Sequence, residues 1–147
     1  YRLLNSPGWL KYIGKRNINS DKDAENYINN VLCEGYRRCG YGFYLIELKS
    51  TGEKAGMCGL VKREGLEHTD IGFALLPEFE NHGYAFESSE GVLKFARNDL
   101  KLSQIAAITV SYNFASIKLL EKLGMGFEKT IKLPNDPEEL MLYKMQL

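Results

Sequence analysis

"LPEFENHGYAFESSEGVLKF", Leu76 to Phe95, decides how this chain is read. An apolar run, Ile71 to Leu76, meets Pro77 and a polar segment, and then Gly83 and Ala85 open an amphipathic helical pattern. A glycine has no Cβ, so at a strand-to-helix junction it lets a ligand approach the backbone. The free N–H groups of a first helical turn point outward with partial positive charge, which suits a pyrophosphate. The dipole contributes only about 0.3–1 kcal/mol per exposed anion, so several amides must act together. Taken alone, "NHGYA" favours the plainer reading, a helix start whose glycine makes a turn.

Working outward, the flanks fix the architecture. Upstream, Ser20 followed by Asp23 resembles a capping box, and Ala24, Tyr27, Ile28, Val31 and Leu32 fall at helical spacing, which predicts a helix with one buried face. Gly35 and Gly40 bracket a break. "YGFYLIELK" and "KAGMCGLVKR" then read as a hairpin around Ser50, Thr51 and Gly52, and a third strand, Thr69 to Leu76, follows the charged loop "REGLEH". In the opening "YRLLNSPGWLKYIG", Pro7 and Gly8 break any long helix.

Downstream, Phe86, Val92, Leu93, Phe95 and Ala96 give a second amphipathic helix, and "IAAITV", Ile105 to Val110, suits a buried strand. That strand must return beside its predecessor through the helix, which makes the pair parallel. Asn113 sits where an N-cap belongs, Ile117, Leu119, Leu120 and Leu123 continue a helix, and Gly124 ends it. Two late strands, near Phe127 to Leu133 and Leu140 to Leu147, flank the turn "PNDPEE". The expectation is an α+β fold with a mixed, mostly antiparallel sheet flanked by helices.

Composition bounds the partners. The 147 residues suit one domain, which buries roughly two-thirds of the surface exposed when unfolded. Nineteen basic and nineteen acidic side chains balance, so neither nucleic acid nor an anionic membrane is an expected partner. The apolar runs fall short of the roughly 20 residues that span a bilayer, and the N-terminus has no signal-peptide apolar core. The three cysteines, Cys33, Cys39 and Cys58, form no CxxC pair and with His68 and His82 make a poor metal set. They read as reduced thiols, with a cytoplasmic location and no metal expected. The chain starts at Tyr1 rather than Met, so an N-terminal truncation is expected.

A distant stretch changes the reading of the first: "NFASIKLLEKLGMGF", Asn113 to Phe127. With it the sequence resembles the GCN5-related N-acetyltransferase (GNAT) superfamily, and within it the branch that includes the ribosomal-protein N-terminal acetyltransferases. The family's acetyl-CoA motif is Gln or Arg, two variable residues, Gly, one variable residue, then Gly or Ala. Here it stands as Glu80, Asn81, His82, Gly83, Tyr84 and Ala85. "IGFALLPEF" before it and Glu87 after it are similar to that branch, as are Asn113, Ser116, Leu119, Leu120 and "EKLG". The family normally has another strand before its first helix, and that strand is absent here.

The resemblance implies a V-shaped opening between the strand ending near Leu76 and the strand Ile105 to Val110, holding acetyl-CoA as cosubstrate. Backbone groups of Phe73, Ala74 and Leu75 would bind the pantetheine arm and acetyl carbonyl. Backbone N–H groups of Asn81, His82, Gly83, Tyr84 and Ala85 would hold the pyrophosphate, with Asn113 and Ser116 also contacting the cosubstrate. Glu80 departs from the usual basic or amide residue and would repel the pyrophosphate unless it turns away.

The implied reaction moves acetyl directly to a primary amine, which must be neutral to attack. An α-amino group of pKa near ~8 is roughly one-tenth neutral at pH 7, whereas a lysine near ~10.4 is neutral less than about one part in a thousand. Asp70 matches the family's catalytic carboxylate and would accept the proton, against a plainer reading as an exposed strand carboxylate. His68 shares its face if the strand is regular. Many members carry a tyrosine acid seven residues after the asparagine, where this chain has Leu120. Ser116 is the nearest substitute and donates a hydrogen bond to sulfur. Tyr112 and Phe114 are either acceptor-site walls or buried packing. "GYRRCGYGFY" and "REGLEH" would lie near the acceptor end.

The acceptor is read as a peptide or protein N-terminal amine, with a small-molecule amine or a catalytically silent CoA-binding or protein-interaction module as alternatives. A peptide enzyme should leave a groove of main-chain donors, and an amine-metabolite enzyme should close its site with carboxylates. The resemblance also admits a homodimer.

Overall fold

Turn chemistry builds the sheet from one edge. The computed structural model describes residues 1–134 and 136–147, so Asn135 of the expected "PNDPEE" turn lies outside the described residues. Strands β1 (Phe43–Glu47) and β2 (Lys54–Val61) pair antiparallel, and Gly52 takes the left-handed φ of 74° that closes the hairpin. β3 (Asp70–Leu75) pairs antiparallel with β2, placing Val61 opposite Asp70. Helix α4 (Tyr84–Asn98) then crosses to β4 (Gln104–Val110), which lies parallel to β3 as a helical crossover requires. β5 (Gly126–Lys132) and β6 (Glu139–Gln146) complete a six-stranded sheet of order β1-β2-β3-β4-β6-β5. All neighbours except β3 and β4 are antiparallel, as the sequence leads one to expect.

Helices cover both faces because side chains alternate along each strand. On one face α4 buries Val92, Leu93 and Ala96 with Cys58, Leu60 and Ile71, and helix α5 (Phe114–Lys122) adds Leu120 to the same core. Ser89, fully buried within α4, sits with its hydroxyl 3.6 Å from Cys58 Sγ, and burial pushes the Cys58 thiol pKa up. Asn113 caps α5 by accepting the Ser116 N–H at 3.2 Å, and Gly124, at φ 89°, follows the last turn.

The other face carries the N-terminal helices. Pro7 occupies the first position of a short helix, α1 (Pro7–Tyr12), rather than only breaking one, and Ser6 caps it. Trp9 is buried there with Leu4, Ile18, Ala24 and Met57. Ser20 caps helix α2 (Asp21–Tyr27) as expected, while the reciprocal bond from Asp23 goes to the Asn19 N–H.

Two expectations change in this region. Gly35 marks no break: helix α3 (Cys33–Cys39) runs through it and ends at Gly40, whose φ is 76°. A Cβ at Gly35 would lie 3.3 Å from the Tyr41 carbonyl oxygen, so this glycine serves close packing. A π-helical turn, Ile28–Leu32, links α2 to α3, and its wider pitch moves the apolar stripe out of phase. Ala24 is buried, but Ile28 and Val31 stay 49% and 52% exposed, so the predicted buried face is only partly covered.

Candidate functional site

Hydrogen-bond alternation opens the sheet at one place. The Leu76 N–H donates to Ala55 O at 2.8 Å, so Asp70, Gly72 and Ala74 direct their backbone groups to β2. Ile71, Phe73 and Leu75 direct theirs toward β4. There the ladder has a single register pair, Asp70 with Ala106, supported by the Ala106 N–H donating to Thr69 O at 2.8 Å. Beyond it the strands part. Phe73 and Leu75 therefore face the gap with free backbone groups, while the backbone of Ala74 is turned to β2 and Ala74 lines the gap from within the strand.

The gap opens into a cleft of about 1100 Å³. One rim is the segment after the 3₁₀ turn Pro77–Phe79, with Glu80, Asn81, Gly83, Ala85 and Phe86. Asn81 adopts φ 62° and Gly83 φ 86°, and space is open where a Gly83 Cβ would stand. No side chain caps α4, whose first bond runs from the Glu87 N–H to Gly83 O. The amides of Tyr84, Ala85 and Phe86 thus have no acceptor within the helix. The His82 ring bonds the Glu80 carbonyl through Nδ1 at 2.6 Å and stacks on Tyr84. Glu80 sets its carboxylate against α1, where a Cβ on Gly8 would lie 3.6 Å from Oε1. These free amides and this open space fit a pyrophosphate, and the free edge of β3 fits an extended amide-bearing arm.

Asp70 sits at the apex where β3 and β4 separate. It is 1% exposed, which overturns the reading of an exposed strand carboxylate. Oδ2 accepts the Arg63 Nε–H at 2.5 Å, and Oδ1 has no hydrogen-bond partner among the described residues. Burial raises the Asp70 pKa from 3.8 to about 6, against the opposing pull of the Arg63 guanidinium and the Ile108 amide. That amide lies on the edge of β4 that faces the gap. His68 precedes β3, so strand alternation does not place it beside Asp70; its Nε2 lies 3.5 Å from Glu67 instead.

Across the cleft, Asn113 and Ser116 both line it. Leu120, at the usual tyrosine position, is 1% exposed, packed from α5 into the core at the cleft wall, and offers no acidic group there. Tyr112 and Phe114 are exposed, which excludes the reading of buried packing. The Tyr112 ring packs tilted by 36° against Tyr12, centroids 6.0 Å apart.

Sequence reasoning missed the partner of Asp70. Arg63 stands two residues beyond Val61, which faces Asp70 across the β2–β3 ladder. Only that register would have exposed the pair. It also missed Trp9, Tyr12, Arg16 and Tyr27, which line the cleft beside Arg38, Cys39 and Tyr41 of the anticipated "GYRRCGYGFY". Lining carboxylates are Glu34, Asp70, Glu80 and Asp136, whereas Arg16 and Arg38 have no ion-pair partner among the described residues.

A splayed, mostly antiparallel sheet with a free-amide helix start at the mouth of its gap is an acyltransferase architecture. The chain belongs to the GNAT acetyltransferase family: the Acetyltransferase (GNAT) domain matches residues 1–126. YkkB of Bacillus subtilis is 31% identical over 138 residues, covering 92% of this chain and 78% of YkkB. The N-acetyltransferase YnaD of the same organism is 33% identical over 133 residues, covering 90% of this chain and 74% of its own. An acetyltransferase from Agrobacterium tumefaciens has the same fold, with TM-score 0.79 at 21% identity over 97% of this chain and 80% of that one. A spermidine N-acetyltransferase from Vibrio cholerae in complex with CoA and spermine gives 0.76 at 15% identity, covering 98% and 85%. The ribosomal-protein-S5-alanine acetyltransferase from Vibrio fischeri gives 0.70 at 16% identity, covering 86% and 72%. No described helix is long and apolar enough to cross a membrane.

Proposed function

We propose that this N-acetyltransferase acts on a peptide or protein N-terminal amine, in the manner of the ribosomal-protein branch. The observation that carries the reading is the buried Asp70, one oxygen free, at the apex of a gap whose mouth offers the unpaired amides of Tyr84 to Phe86. Acetyl-CoA supplies the thioester carbonyl that the amine attacks. The nitrogen–carbon bond forms, the carbon–sulfur bond breaks, CoA leaves as thiolate, and the proton lost by the amine passes to Asp70. A base of pKa about 6 is mostly ionised at pH 7 and matches an α-amine that is already partly neutral.

Within the cleft, Asn81, His82, Gly83, Tyr84 and Ala85 would hold the pyrophosphate through main-chain amides. Phe73 and Leu75 would bind the arm from the β3 edge, and Asn113 from the start of α5. Ser116, half-buried in the first turn of α5, would donate its hydroxyl to the departing sulfur. The peptide reading gains support from charge. Arg16 and Arg38 stand unpaired among the described residues at the cleft, a poor lining for a polycation, although the Vibrio cholerae neighbour acts on spermidine.

The deciding experiment measures thiol release from acetyl-CoA with a panel of N-terminal peptides, single amino acids and spermidine. Turnover of peptides at least about tenfold above spermidine in kcat/KM is expected. Preference for spermidine would replace the peptide by a small-molecule amine. Tight acetyl-CoA binding without turnover of any amine would make the chain a silent CoA-binding module.

A further inference from the structure

A fully buried carboxylate does not stay charged unaided, since desolvation drives it to take up a proton. Among the described residues Asp70 has one countercharge in contact, Arg63, and the contact is one-sided: Nε–H meets Oδ2 at 2.5 Å, and Oδ1 has no partner at full hydrogen-bond geometry, with the Ile108 amide acting on the carboxyl from β4. Both residues line the cleft. The Arg63 side chain is 36% exposed, so it keeps contact with solvent while its Nε reaches the buried oxygen.

The loop that carries Arg63 is anchored at several points. Leu66 is buried with Val110, Leu133 and Leu140, and its N–H donates to Arg63 O at 3.3 Å. Lys62 Nζ donates to Glu67 O at 2.6 Å. Gly65, at φ 84°, packs where a Cβ would stand 3.0 Å from Pro134. Arg63 is therefore presented by a braced turn rather than a free one.

We propose that Arg63 is a positioning residue for acetyl transfer: by occupying Oδ2 it keeps Asp70 ionised and leaves Oδ1 as the single proton-accepting atom. The proposal rests on the reading of Asp70 as the base. Other charged groups near Asp70 are engaged elsewhere. His68 contacts Glu67, Lys62 its own loop, and Lys144, on the same face of β6, lies between Glu128 and Glu67. From the N-terminal helices Arg16, Glu34 and Arg38 line the same cleft without contacting the carboxylate. The Ile108 amide adds a dipole from β4.

The experiment is a pH profile of kcat/KM with the preferred amine, from about pH 5 to 9, for the wild type, Arg63→Gln, Arg63→Lys and Asp70→Asn. The wild type should show a break near 6 below the titration of the amine itself. In Arg63→Gln that break should move up by about one unit or more, lowering the rate at pH 6 about fivefold or more while the rate above pH 8 recovers. Arg63→Lys, which keeps charge and loses the Nε geometry, should fall between. Loss of rate equal at every pH, with the break unmoved, would overturn the proposal and leave Arg63 a structural residue. If Arg63→Gln does not fold, an unmoved break in Arg63→Lys overturns it equally. Persistence of the break in Asp70→Asn would instead sink Asp70 as the base, a separate failure.

Discussion

The two ends of the cleft present their chemistry by different means. At the mouth the backbone does it: Asn81 and Gly83 take left-handed φ, and the amides of Tyr84 to Phe86 are free because a helix has just begun. At the apex side chains do it, with one buried carboxylate, one arginine and one short bond. If the mouth binds through its main chain, as proposed, changes of side chain are tolerated there and Glu80 can stand where a basic residue is usual. Side-chain chemistry tolerates little, because a buried charge depends on a single partner.

The largest effect is expected at the apex. Asp70→Asn should lower kcat by about 10²–10⁴-fold, the range for loss of a general base. The same variant should melt no lower than the wild type at pH 8. Because the folded pKa is raised from 3.8 to about 6, the folded state holds its proton more tightly, and stability falls as pH rises across that window. The buried charge costs about 3 kcal/mol above it, which asparagine removes. A large fall in melting temperature at pH 8 would contradict this sign.

At the mouth, Gly83→Glu should weaken acetyl-CoA binding about a hundredfold by calorimetry, through a carboxylate set in the open space above Gly83 and strain at φ 86°. Truncations that spare the backbone, such as His82→Ala, should change affinity by less than about threefold. An equal loss from both would end the contrast drawn above. Ser116→Ala should slow turnover by about ten- to a hundredfold with little change in acetyl-CoA affinity. The smallest effect is expected at Ile28, where Ile28→Ser should shift stability by no more than about 0.5 kcal/mol, since the π-helical turn already leaves that side chain in solvent.

The mouth was legible in sequence for the reason that it is made of backbone. A glycine after a strand and an asparagine before a helix announce φ angles and caps locally, and the hairpin, the crossover and the caps of α2 and α5 follow from the same kind of signal. The apex was half legible. Asp70 could be nominated, but its burial and its partner depend on the register of β2 against β3 and on a loop that places Arg63 seven residues back in the chain. Nor did apolar spacing reveal the π turn, because one extra residue per turn alters the phase without altering composition. Leu120 was seen as a departure from the usual acid, and its burial under α5 explains why no tyrosine is missed by the core.

The single register pair between β3 and β4 has a geometric consequence. The sheet is two three-stranded plates, β1-β2-β3 and β4-β6-β5, joined at one corner. The gap between the plates is narrowest at that corner and widest at the mouth, so anything entering it meets both plates at once only beside Asp70, where the braced Arg63 stands.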